Sequence, residues 1–106
     1  MTSAQEQALI EFTRELVRIP SVLGDEQAMA ARVREEMERL GFDQITVDEA
    51  GNVVSIVEGR HDGPTLLSDA HLDTVDVLPR DGWTYDPFGG DLQDDRIYGR
   101  GSSDMK

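Results

Sequence analysis

Thr65-Leu66-Leu67-Ser68-Asp69-Ala70-His71-Leu72-Asp73-Thr74-Val75 is the stretch on which the fold and the chemistry of this chain turn. Its start is almost continuously apolar, the pattern of a strand buried in the middle of a sheet. Thr65–Ala70 is therefore expected to be a strand, with His71 and Asp73 just beyond its end. In open α/β sheets, ligands bind in the crevice past the carboxyl ends of strands. His71 offers a neutral imidazole nitrogen, the commonest protein ligand for zinc. Residues i and i+2 of an extended segment point to one side. The carboxylate of Asp73 is thus placed to accept the other ring N–H of His71 and raise its basicity as a ligand. By itself the triplet also describes a surface histidine beside a loop aspartate. His61, next to Asp62 in a Gly-rich loop, is assigned to that surface class.

Upstream the period is helical. Leu9, Phe12, Leu16 and Ile19 make one apolar stripe of a first helix, capped by Thr2 or Ser3 and running to about Arg18. Pro20 stops it by disfavouring helical geometry in the residue before it. A second helix is expected from about Asp25 to Leu40. Met29, Val33, Met37 and Leu40 form its stripe, and Gly41 is its C-terminal cap. Glu35, Glu36, Glu38 and Arg39 read as its solvated face. The period then switches to two, with strands at Ile45–Val47 and Val53–Val57 around the turn Ala50-Gly51-Asn52.

Downstream, Asp91–Gln93 and Arg96–Tyr98 flank Asp94-Asp95 as a small hairpin. In the segment Trp83 to Phe88, the aromatic rings either line a substrate cleft or pin a long loop onto the core. Asp86, Asp91, Asp94 and Asp95 do not follow the order of a calcium loop. The last segment, Gly99-Arg100-Gly101-Ser102-Ser103-Asp104-Met105-Lys106, carries small residues that let a backbone approach a ligand closely. Asp104 has two oxygens, enough to bridge a pair of divalent ions about 3.5–4 Å apart. Lys106 is available to neutralise a negative group nearby. The same residues also read as a tight Gly/Ser turn with a capping aspartate. Two helices followed by strands give an α/β chain, with a mixed sheet expected. Residues 1–106 read as one part of a larger catalytic domain, because Gly99–Lys106 looks like the entry to a further element.

Composition narrows the chemistry. The chain has 106 residues and no cysteine, so disulfides, thiolate metal sites and cysteine nucleophiles are excluded. A metal must be held by His and carboxylates, which suits zinc, manganese or cobalt where His takes part. The formal charge of −12 repels phosphate backbones and anionic membranes, so neither nucleic acid nor membrane is an expected partner. No apolar run approaches the ~20 residues of a membrane span. The N-terminus lacks the basic and apolar regions of a secretory signal, and a cytoplasmic location is expected.

Five segments in order resemble one family: Arg18-Ile19-Pro20-Ser21, Gly51-Asn52-Val53, His71 to Val75, Trp83 to Phe88, and Gly99 to Lys106. The chain is similar to the co-catalytic zinc peptidases and deacylases, which include aminoacylase, acetylornithine deacetylase, succinyl-diaminopimelate desuccinylase and carboxypeptidase G. The resemblance implies the N-terminal part of a zinc-peptidase catalytic domain, without the lid domain and the C-terminal half. It implies two divalent metal ions, zinc first, with cobalt or manganese as alternatives. His71 would be a ligand of one ion, Asp104 the carboxylate bridging both, and Asp73 the catalytic-site acid that orients His71. The two ions would activate a water and polarise an amide carbonyl. The substrate would be a small N-acylated amino acid or a peptide, and a full-length form would be able to form a homodimer. The family's general base is a glutamate beyond the bridging aspartate, outside these residues, and general-base catalysis is typically worth about 10²–10⁴-fold. The chain alone is therefore expected to be inactive. The alternatives are a free-standing inactive remnant or binding domain of the same fold, or one half of a split enzyme. Ala70, where many members carry glycine, is similar to a subgroup linked to selenium metabolism.

Overall fold

The computed structural model describes residues 1–106. Helix α1 spans Ser3–Arg18. Thr2 starts it with a capping box, its hydroxyl accepting from the Gln5 N–H while the Gln5 side chain accepts from the Thr2 N–H. Ile19 leaves the helix in extended geometry, as expected for a residue before proline. Helix α2 spans Gln27–Leu40, starting two residues later than expected; Asp25 closes a turn, its N–H donating to the Val22 carbonyl, and Glu26 at the helix start makes no side-chain cap. Gly41 closes it in left-handed conformation.

Four short strands follow in two antiparallel hairpins. β1 (Gln44–Val47) pairs with β2 (Val53–Ile56), with Thr46 opposite Val54. The connection is held by Asp48, whose carboxylate accepts from the Ala50 and Asn52 N–H groups and the Asn52 amide. β3 (Asp91–Gln93) pairs with β4 (Arg96–Tyr98). Its two-residue turn has positive φ at both Asp94 and Asp95, which matches the twist of the flanking strands. The expected α/β class holds, and the strand ladders are antiparallel; the parallel pairing is a single bridge between Val22 and Thr74.

The expected strand Thr65–Ala70 does not form: it pairs with no other strand, and Leu66 and Leu67 are 92% and 88% exposed. Its apolar residues mark a segment suited to burial, but a strand exists only where a neighbour supplies the other half of the ladder. Consistent with such uncovered surface, the accessible area is 8114 Å², against about 5,900 Å² for a compact monomer of this mass. The radius of gyration is 15.5 Å, against about 13 Å for a compact domain of this length. No helix is long and apolar enough to cross a membrane.

The apolar core is small: Leu16 and Val17 of α1, Met29 and Ala30 of α2, and Val77. Leu9 and Leu40, assigned to the apolar stripes, are 54% and 58% exposed. Burial is instead concentrated where the C-terminal end of α1 and the start of α2 meet the loops around Thr74 and Gly101. Glu36, expected on a solvated face, is buried. Its carboxylate accepts from Arg32 and Arg39, and Arg32 also donates to Glu15 of α1 at 2.6 Å while lying over the Phe12 ring. Two guanidinium partners make that burial tolerable for a carboxylate. The Arg39 hydrogen bond, then that of Arg32, holds the Glu36 carboxyl below the ordinary carboxylate range against the opposing effect of burial.

A folded value below the unfolded one means that this carboxylate contributes stability above the unfolded value and loses it as pH falls through the folded one. Glu36→Gln is expected to lower the urea unfolding free energy at pH 7 by about 1.5–3 kcal/mol, the scale of hydrogen bonds to charged groups. The difference from the parent should shrink in acid, below pH 4. A variant equally stable at both pH values would show the cluster to be inert.

Candidate metal centre

The site begins at Ser21, which follows the proline that ends α1 and is completely buried. Its carbonyl accepts from the Thr74 N–H at 2.8 Å, and its hydroxyl donates to the Leu72 carbonyl at 2.8 Å. These bonds flank Asp73 and bring the residues after His71 against the end of α1. The position expected of a third strand's end is therefore set by side-chain and bridge hydrogen bonds. Val17 of the same helix packs against Gly99, where an added Cβ would collide with its Cγ1.

The Gly99–Lys106 segment approaches from the other side through a series of tight turns. The Lys106 N–H donates to the Gly101 carbonyl at 2.8 Å, and so does the Asp104 N–H at 3.2 Å. Gly101 is buried at φ +85, and a Cβ there would lie 2.6 Å from Lys106 Cγ and 2.9 Å from Thr74 Cγ2. Only glycine fits that backbone and that contact. The Asp104–Met105 peptide is cis.

His71 and Asp104 meet where the two segments converge. Nε2 of His71 lies 3.0 Å from Oδ1 of Asp104. Nδ1 of His71 donates to the Asp73 main-chain carbonyl at 2.9 Å and lies 3.4 Å from the Asp73 carboxylate. The shorter contact is thus with the carbonyl and not, as the i, i+2 argument expected, with the carboxylate. Both partners are acceptors, so both bonds form with the doubly protonated imidazolium; when the Nε2 proton is lost, the Asp73 side keeps the remaining one on Nδ1. The Asp104 hydrogen bond, then the Asp73 carbonyl, raises the His71 pKa above 6.5. Around these groups lies a shallow cleft of about 230 Å³, also lined by Thr74, Ser102 and Ser103.

A divalent ion fits the two converging atoms. Ligand atoms around a tetrahedral zinc are about 3.3 Å apart, from zinc–nitrogen and zinc–oxygen distances of about 2.0–2.1 Å. The observed 3.0 Å is close to that spacing. No group of three or more His, Asp or Glu side chains placed to hold a metal ion is present. His61 is exposed in its loop and is not one of the converging groups.

Two expectations for neighbouring residues are settled by their contacts. Lys106 does not neutralise an acid; its ammonium donates to the Ile19 carbonyl at 2.8 Å and to Ser21 Oγ at 2.7 Å. Burial lowers its pKa to about 8. Trp83 pins its loop, donating from Nε1 to the Val77 carbonyl at 3.1 Å and supporting the Arg100 guanidinium 4.9 Å from its ring centre. The same loop is held to α1 by Arg14 and Arg18, which donate to the carbonyls of Gly90 and Gly89. Arg18 opens the Arg18-Ile19-Pro20-Ser21 segment, whereas Arg14 belongs to no motif. Their i, i+4 spacing was the available signal, placing both on one face of α1.

In NMR titration, His71 is expected to hold its ring proton to a higher pH than a free imidazole, and Asp104→Asn to bring it back toward 6.5. Unchanged titration in that variant would show that the pair is not hydrogen-bonded in solution. Gly101→Ala is expected to cost about 1–3 kcal/mol, the scale of strained backbone positions, read as a fall in the thermal midpoint.

Residues 67–106 match the family described as peptidase family M20/M25/M40. An uncharacterized protein of Escherichia coli K12, YgeY, is 40% identical over 99 residues, covering 92% of this chain and 24% of that protein. The succinyl-diaminopimelate desuccinylase of Rhodospirillum centenum is 37% identical over 102 residues, covering 92% of this chain and 26% of that enzyme. That of Stenotrophomonas maltophilia is 34% identical over 101 residues, covering 93% and 26%. The chain thus spans about a quarter of the length of these curated relatives. These matches do not separate out the selenium-linked subgroup. With His71, Asp73 and Asp104 all inside the matched region, and relatives aligned along nearly the whole chain, this protein belongs to peptidase family M20/M25/M40.

Proposed function

We propose that this protein is a metal-dependent hydrolase of amide bonds, acting on an N-acylated amino acid or a peptide. In this reading His71 and Asp104 hold divalent ions, zinc first and cobalt or manganese next. Asp104 would be the carboxylate shared by a pair of them, and Asp73 would orient His71. The observation that carries the reading is the convergence of His71 Nε2 and Asp104 Oδ1 to 3.0 Å from segments 33 residues apart. Family membership and the desuccinylase relatives support a hydrolase that acts on an acylated amino acid.

The chain's own residues have defined parts. The Asp73 carbonyl keeps the His71 proton on Nδ1, which leaves the Nε2 lone pair for a cation. Asp104 supplies negative charge on the same point. Bound ions supply Lewis acidity toward a carbonyl oxygen and toward an attacking water. Thr74, Ser102 and Ser103 present small side chains around the cleft, leaving room for a substrate beside the ligands. No glutamate lines the cleft, so the general base and the remaining ligands are proposed to lie outside these residues.

Zinc titration calorimetry of the 106-residue chain tests this reading. Saturable binding is expected, weakened at least tenfold by His71→Ala and by Asp104→Ala. Affinity should fall as pH drops through the raised His71 pKa, because a proton on Nε2 competes with the ion. No uptake by the parent chain, or affinity indifferent to both substitutions, would sink the assignment of these two ligands.

A further inference from the structure

The His71 and Asp104 segments do not bond to each other outside the imidazole–carboxylate contact; what joins them is a single buried residue. Ser21 Oγ donates to the carbonyl of Leu72, the residue after His71, at 2.8 Å. The same Oγ accepts from Lys106 Nζ, two residues beyond Asp104, at 2.7 Å. Ser21's own carbonyl accepts from the Thr74 N–H, and its neighbour Val22 forms the parallel bridge with Thr74. A hydroxyl has one proton to donate and two lone pairs, so these bonds require Lys106 to be the donor and the Leu72 carbonyl the acceptor. Lys106 adds a second tie to the Ile19 carbonyl, and its stem lies along Gly101, the residue that lacks a side chain where the stem passes.

We propose that Ser21 and Lys106 are positioning residues that set the separation of His71 from Asp104. The proposal rests on the reading of those two as metal ligands. Neither residue touches the cleft's reacting atoms; both act through the loops they hold. A serine hydroxyl and a lysine ammonium serve better here than an apolar pair would. An apolar contact fixes area but not direction, whereas these bonds fix the relative orientation of two irregular segments with no common ladder. Outer partners of metal ligands typically matter about 10–100-fold in affinity.

The test compares Ser21→Ala, Lys106→Met and Lys106→Arg with the parent chain in two measurements. One is the cross-relaxation between His71 ring protons and Asp104 side-chain protons without metal; the other is the zinc dissociation constant. Lys106→Met keeps the stem over Gly101 and serves if Ser21→Ala does not fold, as judged from its amide spectrum. The expected result is loss of cross-relaxation and about 10–100-fold weaker zinc binding in Ser21→Ala and Lys106→Met, with both restored in Lys106→Arg. Folded variants that keep the parent's cross-relaxation and affinity would overturn the proposal and leave the pair a purely structural contact. Loss of cross-relaxation in a protein whose parent form binds no zinc would uphold the clamp and remove the metal reading instead.

Discussion

The buried hydroxyl of Ser21, held between the Leu72 carbonyl and the Lys106 ammonium, is the contact on which the rest of the arrangement depends. Around it the end of α1, the His71 loop and the Gly99–Lys106 turns come to one place. Each such bond contributes only about 0.5–1.5 kcal/mol net, and rather more where a charge takes part. With an apolar core of five side chains, contributions of that size are a large share of what orders the loops. Removing one partner would also leave a buried polar group unmatched, which costs more than the bond itself gains.

Arginines do for the flanks what Ser21 does for the centre. Arg14 and Arg18, one turn apart on α1, each reach a carbonyl of the Gly89-Gly90 pair. Gly90 has to be glycine for that approach, since a Cβ would lie 2.8 Å from the Arg14 carbonyl oxygen. Arg32 and Arg39 enclose Glu36, and Arg32 ties α2 to Glu15 of α1. In a chain with ten basic and twenty-two acidic side chains, cations are scarce, and several are spent on carbonyls and internal carboxylates. Asp73 and Asp104 are left unpaired by any arginine or lysine, so that the negative charge beside His71 remains available to a cation.

The candidate site and the uncovered apolar surface lie close together in sequence. Leu66 and Leu67 precede His71 by a few residues, and Val75 and Leu78 follow it, exposed by 71% and 73%. The segment that carries the candidate ligand is thus anchored at Thr74 and Val77 and open on either side of them. Backbone groups of an unpaired extended segment remain free to complete a ladder. His71, Asp104 and the Ser21–Lys106 contact are ordered by bonds within this chain, while the apolar residues on either side of His71 are left uncovered.

Much of the architecture could be read from residue order because it rests on local rules. Thr2 with Gln5, Pro20 and Gly41 bound the helices through capping and backbone geometry that involve only near neighbours. The Asp94-Asp95 turn and the period-two strands are local in the same sense. His71, Asp73 and Asp104 stood out by residue type and by the order of their motifs. Tertiary structure alone decided the rest. Glu36 turned inward because two arginines met it, Thr65–Ala70 stayed unpaired because no strand came beside it, and the Asp73 carbonyl rather than its carboxylate came nearer to His71. Ser21 and Lys106 lie in two of the motifs, but their contact with each other was decided in the same way. Their residue types are ordinary, and a hydrogen bond spanning 85 positions depends on where the whole chain brings its two ends, which no local pattern encodes.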